Sequence, residues 1–368
     1  MRMITEDVHR RRAHLRALEI NGERVSHLMV FDYDMRIGPA VVKMGGIGGV
    51  ATRHEHRMKG YSRKVMLDTV RWMRDNGYDA TVLYGIEHFY HKFGYCPCMP
   101  EVTATVRTRD AEEFLRRPVG FRVRAFDAKK DLGALLRLYN RANASRPLSI
   151  VRHKGRFQAF RHGSHFRATG EAFVLESSGG RFAGYCIYDA SPAPTTACEV
   201  ETASPAGLAA VLDELVRIAI ERRDGEIAVR LPSDHPFVMM LRRLGCKVEI
   251  IYRTTGGPMG RIVNQDAFLG KIARAYAAKK GFEPRQLAFP VDVKTELGAT
   301  RVKVPGPRRA KRSSVTIPAM TLFQMLTGFL ATEEVLTNRD VKVSGGGEAL
   351  FEFLKPAQEP HMYSVDHF

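Results

Sequence analysis

Two stretches of this sequence run through the same succession of patterns, and a succession met twice leaves few architectures open. In the first, His14–Ile20 and Arg24–Ile37 are strand-like and flank Asn21-Gly22, the dipeptide that a tight primed hairpin turn prefers. Gly45–Thr52 is a short apolar, glycine-rich strand. From Gly60 the period becomes helical: Val65, Met66, Thr69 and Met73 share one face, and Asn76-Gly77 is the stop. Ala80–Tyr84 is a buried strand, followed by a short helix over Glu87–Lys92 that Gly94 ends. The second stretch begins with a strand at Phe121–Ala125 and a helix at Asp131–Asn143. A hairpin of Ala172–Glu176 and Phe182–Tyr188 turns at Gly179-Gly180, and Cys198–Thr202 is again a strand. Leu208, Val211, Leu212, Leu215 and Ile218 line a helix; Glu226–Leu231 is a strand, and Pro236–Leu244 a helix stopped by Gly245. The order points to an internal duplication of a mixed α/β unit.

Thr255–Gly260, rich in glycine and proline, reads as a linker. Beyond it a helix at Gln265–Lys279, strands near Leu287–Asp292 and Thr300–Val304, a strand-to-helix step over Val315–Phe329 and a helix near Glu348–Leu354 make a third, α+β unit. The expected organisation is residues 1–115, 116–257 and 258–368, which suits a chain of 368 residues.

Composition excludes several classes. At 44% hydrophobic and 26% charged residues the balance is that of a globular chain. No apolar run approaches the ~18 residues of a membrane span. Met1–Arg16 has no apolar stretch for a secretory signal, and Glu6 and Asp7 argue against a presequence, so the chain is read as cytoplasmic. Cys96, Cys98, Cys186, Cys198 and Cys246 form an odd, scattered set, and the lone C-x-C has no second pair at zinc-ligand spacing; neither a disulfide framework nor a metal is expected. The formal charge of +17 admits nucleic acid or an anionic cofactor as partner. Basic runs occur only at His9–Arg12 and Arg308–Arg312, without an aromatic-interleaved patch, so the charge reads as a solvated basic surface and nucleic acid is not expected.

Chemistry concentrates between Gly48 and Arg63. A strand runs into Arg57-Met58-Lys59-Gly60-Tyr61-Ser62, and the amphipathic helix starts at once. A helix start exposes N–H groups and the positive end of the macrodipole, which together bind phosphate. Gly60 lets the backbone approach a diphosphate, and Arg57, Lys59 and Arg63 add charge around it.

This segment resembles the acyl-CoA pyrophosphate loop of GNAT acetyltransferases, Arg/Gln-x-x-Gly-x-Gly/Ala, with Ser62 where the last small residue is expected. Downstream, Phe89-Tyr90-His91-Lys92-Phe93-Gly94-Tyr95 is similar to the family's second signature, a tyrosine four residues before a glycine. Two such units followed by a sterol-carrier-protein-like domain resemble the enhanced-intracellular-survival acetyltransferases over nearly the full length. The resemblance implies acetyl-CoA as co-substrate, Tyr90 as general acid and the terminal carboxylate of Phe368 as general base. It implies cofactor contacts at Val50, Ala51, Thr52, Arg57, Met58, Lys59, Gly60, Tyr61, Ser62 and Arg63. The roles suit the chemistry: an amine attacks a thioester only when neutral, the leaving thiolate needs a proton, and a backbone N–H around Val50–Thr52 would stabilise the oxyanion.

Glu87 and His88 are alternative bases by position, and Tyr95 reads as packing. The second unit has Leu241 where the first has Tyr90 and Ala203-Ser204-Pro205-Ala206-Gly207 where the first has its basic turn, so it reads as a structural partner. In the family a strand and two helices precede the hairpin; here only Met1–Ala13 do, which points either to a truncated start or to an acceptor groove more open than in relatives. The acceptor is an amine, either small or a protein lysine, and the family's assemblies imply a homo-oligomer, typically a hexamer. A competing reading is a non-catalytic lipid or small-molecule binding protein using the C-terminal domain. Val315, Ile317, Leu322, Leu326 and Phe329 lie at core spacing there.

Overall fold

The computed structural model describes residues 1–8, 12–114, 120–155, 157, 163–165, 168–190, 194–306 and 313–368. Of the two basic runs only Arg12 is among them, and the expected boundary at 115/116 also lies outside them.

The first sheet holds β1 (Arg2–Val8), β2 (Ala13–Ile20), β3 (Glu23–Ile37), β4 (Ala40–Thr52), β5 (Ala80–Gly85), β6 (Cys96–Pro97) and a late strand, β14 (Gly257–Ile262). Their spatial order is β1-β2-β3-β4-β5-β14-β6. Asn21 and Gly22 have φ of 53° and 80°, the paired positive values of the primed turn expected between β2 and β3. β4 begins earlier than expected because Ala40, Val42 and Met44 already alternate inward. β4 and β5 are parallel and joined by α1 (Tyr61–Asp75), which buries the four residues predicted for its inner face. They pack on Leu28, Val30 and Ile47. The helix expected over Glu87–Lys92 is instead one 3₁₀ turn, Tyr90–Phe93, closed by Gly94 at φ 77°. His88, at φ 56°, cannot continue a right-handed helix.

The second sheet repeats the plan with β7 (Glu101–Arg107), β8 (Phe121–Ala125), β9 (Gly170–Ser177), β10 (Phe182–Asp189), β11 (Thr195–Thr202), β12 (Glu226–Val229) and β13 (Lys247–Ile251). Their order is β13-β7-β12-β11-β10-β9-β8, and β11/β12 is the parallel pair. The helices here are α2 (Thr108–Phe114), α3 (Ala128–Ala142), α4 (Pro205–Arg222) and α5 (Pro236–Leu241). α4 buries all five residues predicted for its face.

Two strands cross between the units. β7 lies between β12 and β13, although it precedes the expected boundary at 115/116. β14 lies between β5 and β6, so the segment expected as a linker is in part a strand of the first sheet. The glycine-proline composition that reads as a linker serves close packing instead: the missing side chain of Gly260 makes room for the Phe323 ring.

The third unit comprises α6 (Gln265–Lys279), β15 (Phe289–Thr295), β16 (Gly298–Val304), β17 (Ser313–Thr316), α7 (Ala319–Thr327), α8 (Thr332–Thr337), β18 (Lys342–Ser344) and α9 (Ala349–Leu354). Its sheet runs β16-β15-β17-β18. Phe268 and Ile272 of α6 and Phe323 of α7 share one core with Met35, Val42 and Met44 of the first sheet. The first sheet is therefore covered by α1 on one face and by the third unit on the other. Val315, Ile317, Leu322, Leu326 and Phe329 are all buried, as core spacing predicts. Beyond α9 the chain returns across the second unit, where Tyr363 is fully buried, and ends against the first sheet.

Candidate active site

A gap opens where β4 and β5 part. The parallel pairing runs only from Met44↔Ala80 to Ile47↔Leu83, whereas β4 continues to Thr52. Among the described residues no strand pairs with Gly48–Thr52 on that edge. On the other edge the register with β3 slips between Met29↔Gly48 and His27↔Ala51, so Gly49 and Val50 bulge opposite one residue; Gly49 has φ 60°. Val50, Ala51 and Thr52 therefore border the gap.

The loop leaving β4 is exposed. Met58, fully exposed, and Gly60 have φ of 60° and 74°. Gly60 is the N-cap of α1, with no side chain bonded to the cap and no acidic residue in the first turn. Among the described residues, the N–H groups at Tyr61–Arg63 thus find no side-chain acceptor at the positive end of the helix. Arg57, Lys59 and Arg63 are exposed around it. A methyl group built on Gly60 would meet nothing within 4 Å, so open space lies in front of this turn. All of the expected cofactor-contacting residues lie on this one path from bulge to helix.

Tyr90 is held in the 3₁₀ turn with its ring over Gly85: a methyl group there would lie 2.7 Å from the Tyr90 ring. Its hydroxyl has no hydrogen-bond partner among the described residues, and burial raises the phenol above its ordinary range. A phenol so shifted stays protonated at neutral pH, as a proton donor must. Tyr95, by contrast, is fully buried and donates to Thr81 Oγ1 at 3.3 Å, a packing role. Glu87 and His88 are exposed, and Glu87 is paired with Arg253 at 3.2 Å.

The tail fills the other face of the same strands. Its Phe368 ring lies on Gly46, where a methyl group would meet it at 2.7 Å, and the main-chain oxygen of Phe368 lies 3.1 Å from a methyl built on Gly48. The rings of Phe31, Tyr33 and Tyr84 surround Phe368 at centroid distances of 6.0, 5.4 and 6.3 Å. The Tyr84 hydroxyl shares a hydrogen bond with His367 Nε2. Successive residues of a strand face opposite sides, so Gly85 with Tyr90 and Tyr84 with Phe368 flank β5 from opposite faces. Gly46, Tyr84 and His367 carry no site expectation from the sequence, and Gly48 only as the start of the loop segment; the glycines at alternate positions of Gly45-Gly46-Ile47-Gly48-Gly49 were the available signal. Gly46→Val is expected to expel the Phe368 ring without touching the tail itself. Carboxypeptidase A followed by intact-mass measurement should then remove Phe368 at least about tenfold faster than in the parent, and equal rates would show that the ring is not seated there.

Among the described residues one group of possible metal ligands, Glu23, Glu55 and His56, brings its atoms within 4.8 Å of one another. It is solvent-facing, and Arg53 is ion-paired to Glu23, a cation where a metal would compete.

Residues 5–98 match the family model of the acetyltransferase (GNAT) domain. With two mixed sheets laid out as GNAT units in tandem beside a smaller third sheet, the class defined is an N-acetyltransferase, an enzyme. Among solved structures, the chain is similar to a probable N-acyltransferase of unknown function from Enterococcus faecalis V583, with TM-score 0.74 and 15% identity over 97% of this chain and 89% of that one. It is also similar to a GCN5-related N-acetyltransferase from Kribbella flavida, with TM-score 0.70 and 18% identity over 96% and 87%. For Eis1 from Mycobacterium abscessus the TM-score is 0.66 and the identity 16% over 96% and 90%. At these identities the likeness is one of fold. No curated protein sequence matches the chain.

Proposed function

We propose that this chain transfers the acetyl group of acetyl-CoA to a primary amine by direct attack on the thioester. What carries the reading is the uncapped, basic start of α1 beside a gap that Tyr90 and the Phe368 carboxylate flank from opposite faces. In this reading the diphosphate rests on the loop from Arg57 to Arg63, and the acyl end lies along Val50–Thr52, where an N–H of the bulged strand receives the oxyanion. The Phe368 carboxylate takes a proton from the bound ammonium, and the neutral amine then attacks the thioester carbonyl, its second proton passing to solvent as the C–N bond forms. As the tetrahedral intermediate collapses, the C–S bond breaks and Tyr90 protonates the leaving thiolate. Placing acid and base on opposite faces lets amine and thiol occupy different sides of one carbonyl.

The acceptor is a small amine or a protein lysine. The basic surface disfavours a polycation by repulsion. The third unit acts as a buttress of the first sheet, its resemblance to sterol carriers notwithstanding, because the residues that could line a tunnel are packed as core. A cytoplasmic homo-oligomer, a hexamer in the family it resembles, completes the reading.

Acetyl-CoA and free CoA should both raise the melting temperature in proportion to the logarithm of ligand concentration, and amines should release CoA. Absence of any shift with either ligand would sink the proposal. Tyr90→Phe should lower kcat about 100-fold with the acetyl-CoA-induced shift unchanged, since a general acid contributes in that range. Full turnover in that variant would remove Tyr90 from its role.

A further inference from the structure

A closed set of charges lies where the tail crosses the second unit. Arg152, its side chain 1% exposed, binds both oxygens of Glu199 at 2.6 and 2.7 Å. The same guanidinium holds Asp366, through Nε at 2.9 and 3.1 Å and through Nη2 at 2.8 Å. The Tyr139 hydroxyl donates to Asp366 Oδ2 at 3.3 Å, and its ring lies 3.6 Å below the guanidinium carbon. Tyr185 donates to Glu199 at 2.5 Å. A second buried cation, Arg36 of β3, lies nearby and donates to Ile150 O and Asn140 Oδ1 at 2.9 Å each; burial lowers its pKa, against the pull of Tyr139 and Asp366. Arg152, Glu199 and Tyr139 belong to the second unit, whereas the gap lies in the first sheet.

We propose that Arg152 and Asp366 are a positioning pair that holds the Phe368 carboxylate at the gap between β4 and β5; this rests on the base role assigned above. Chain ends fray by default. A general base must hold its oxygen within about 3 Å of the proton it takes. Asp366 stands two residues before Phe368, so at most about 7 Å of extended chain separates the anchor from the base. The intervening tail is also tied: Asp366 N–H donates to Tyr363 O at 2.9 Å, His367 N–H to Ser364 O at 3.1 Å, and His367 rests on Tyr84. A buried ion group is poor value for stability alone, since apolar packing of the same volume does as well. What the fork of an arginine adds is direction, two carboxylates fixed at set angles from one side chain. Here it fixes the C-terminal tail, which crosses from the second unit to the first.

The test is Asp366→Asn, which keeps the shape and removes the charge, made in the full chain and in a chain lacking Phe368. In the full chain kcat should fall roughly 10- to 100-fold, the range that misplacing a catalytic group by about 1 Å produces. Acetyl-CoA affinity should be unchanged, and carboxypeptidase A should remove Phe368 faster. Without Phe368 the same substitution should change kcat less than about twofold, because the pair acts only through that carboxylate. Equal losses in both backgrounds, or a full-length variant with parental turnover and protease resistance, would overturn the proposal. Should removal of Phe368 alone leave turnover intact, the base assignment falls instead, and the protease readout still decides whether the pair holds the tail. If Asp366→Asn does not fold, Arg152→Lys, which retains the cation and loses the fork, enters the same cycle.

Discussion

Removal of Phe368 should lower kcat by about 100-fold or more, with acetyl-CoA affinity within about twofold of the parent, because general-base assistance is worth ~10²–10⁴ in rate. The residue supplies two things together. Its ring seats on Gly46, which has no side chain to refuse it, and its carboxylate comes to rest over Gly48. Deletion does not abolish the terminal carboxylate; it moves that group to His367, about 3.3 Å back along the chain. His367 is already committed to Tyr84, so its carboxylate cannot advance into the vacated place without giving up that contact. The diphosphate loop is untouched, which is why binding should survive. A pH–rate profile gives a second readout. With an internal base the rate is sustained at pH values where most of the free amine is protonated, whereas the shortened chain should follow the neutral amine fraction and gain activity as pH rises. Parental kcat in the shortened chain would strike the carboxylate from the mechanism.

Gly60→Asp should raise the acetyl-CoA dissociation constant by about 100-fold or more while lowering the ligand-free melting temperature by only a few degrees. Asp tolerates the left-handed backbone of Gly60 better than most residues do. It would also set a carboxylate at the start of α1, whose N–H groups have no side-chain acceptor now among the described residues. No atom stands within 4 Å of the added Cβ, so the change meets no clash, and its cost is the backbone strain of an L residue at φ 74°, about 1 kcal/mol. The carboxylate would nevertheless take the N–H groups that the phosphate needs and set like charge against it. At ~4 Å and an effective dielectric of ~20 that repulsion is about 4 kcal/mol before salt screening. Calorimetric titration with acetyl-CoA measures the loss directly. Retained affinity in a stably folded variant would mean that the diphosphate binds elsewhere.

Local signals in the sequence were enough for most elements. Asn21-Gly22 could be read as a primed turn because two positive φ values suit few other dipeptides. The inner faces of α1 and α4 were legible because burial follows the helical period. The basic turn was legible as a phosphate cradle because its chemistry is carried by consecutive residues. Pairings between distant segments were hidden. Nothing local marks Gly257–Ile262 as the neighbour of β5, and its glycines and proline imitate a linker. The alternation of Val102, Ala104 and Val106 on β7 was available, but not the sheet they would join. Nor does Arg152 announce that its partners are Glu199 and Asp366, which the fold alone brings together. The seat of Phe368 on Gly46 is of the same kind: each residue could be read alone, and their meeting could not.

The traded strands tie the fate of the two halves together during folding. Until Gly257–Ile262 arrives, the outer edge of β5 is an open row of backbone donors and acceptors, the situation in which sheets recruit the wrong chain. A fragment carrying only the amino-terminal hundred residues would keep the phosphate loop yet expose that edge, and would be prone to aggregate. Dissection of this protein into halves is therefore best attempted with the late strand grafted back beside Gly85, its partner in the intact molecule.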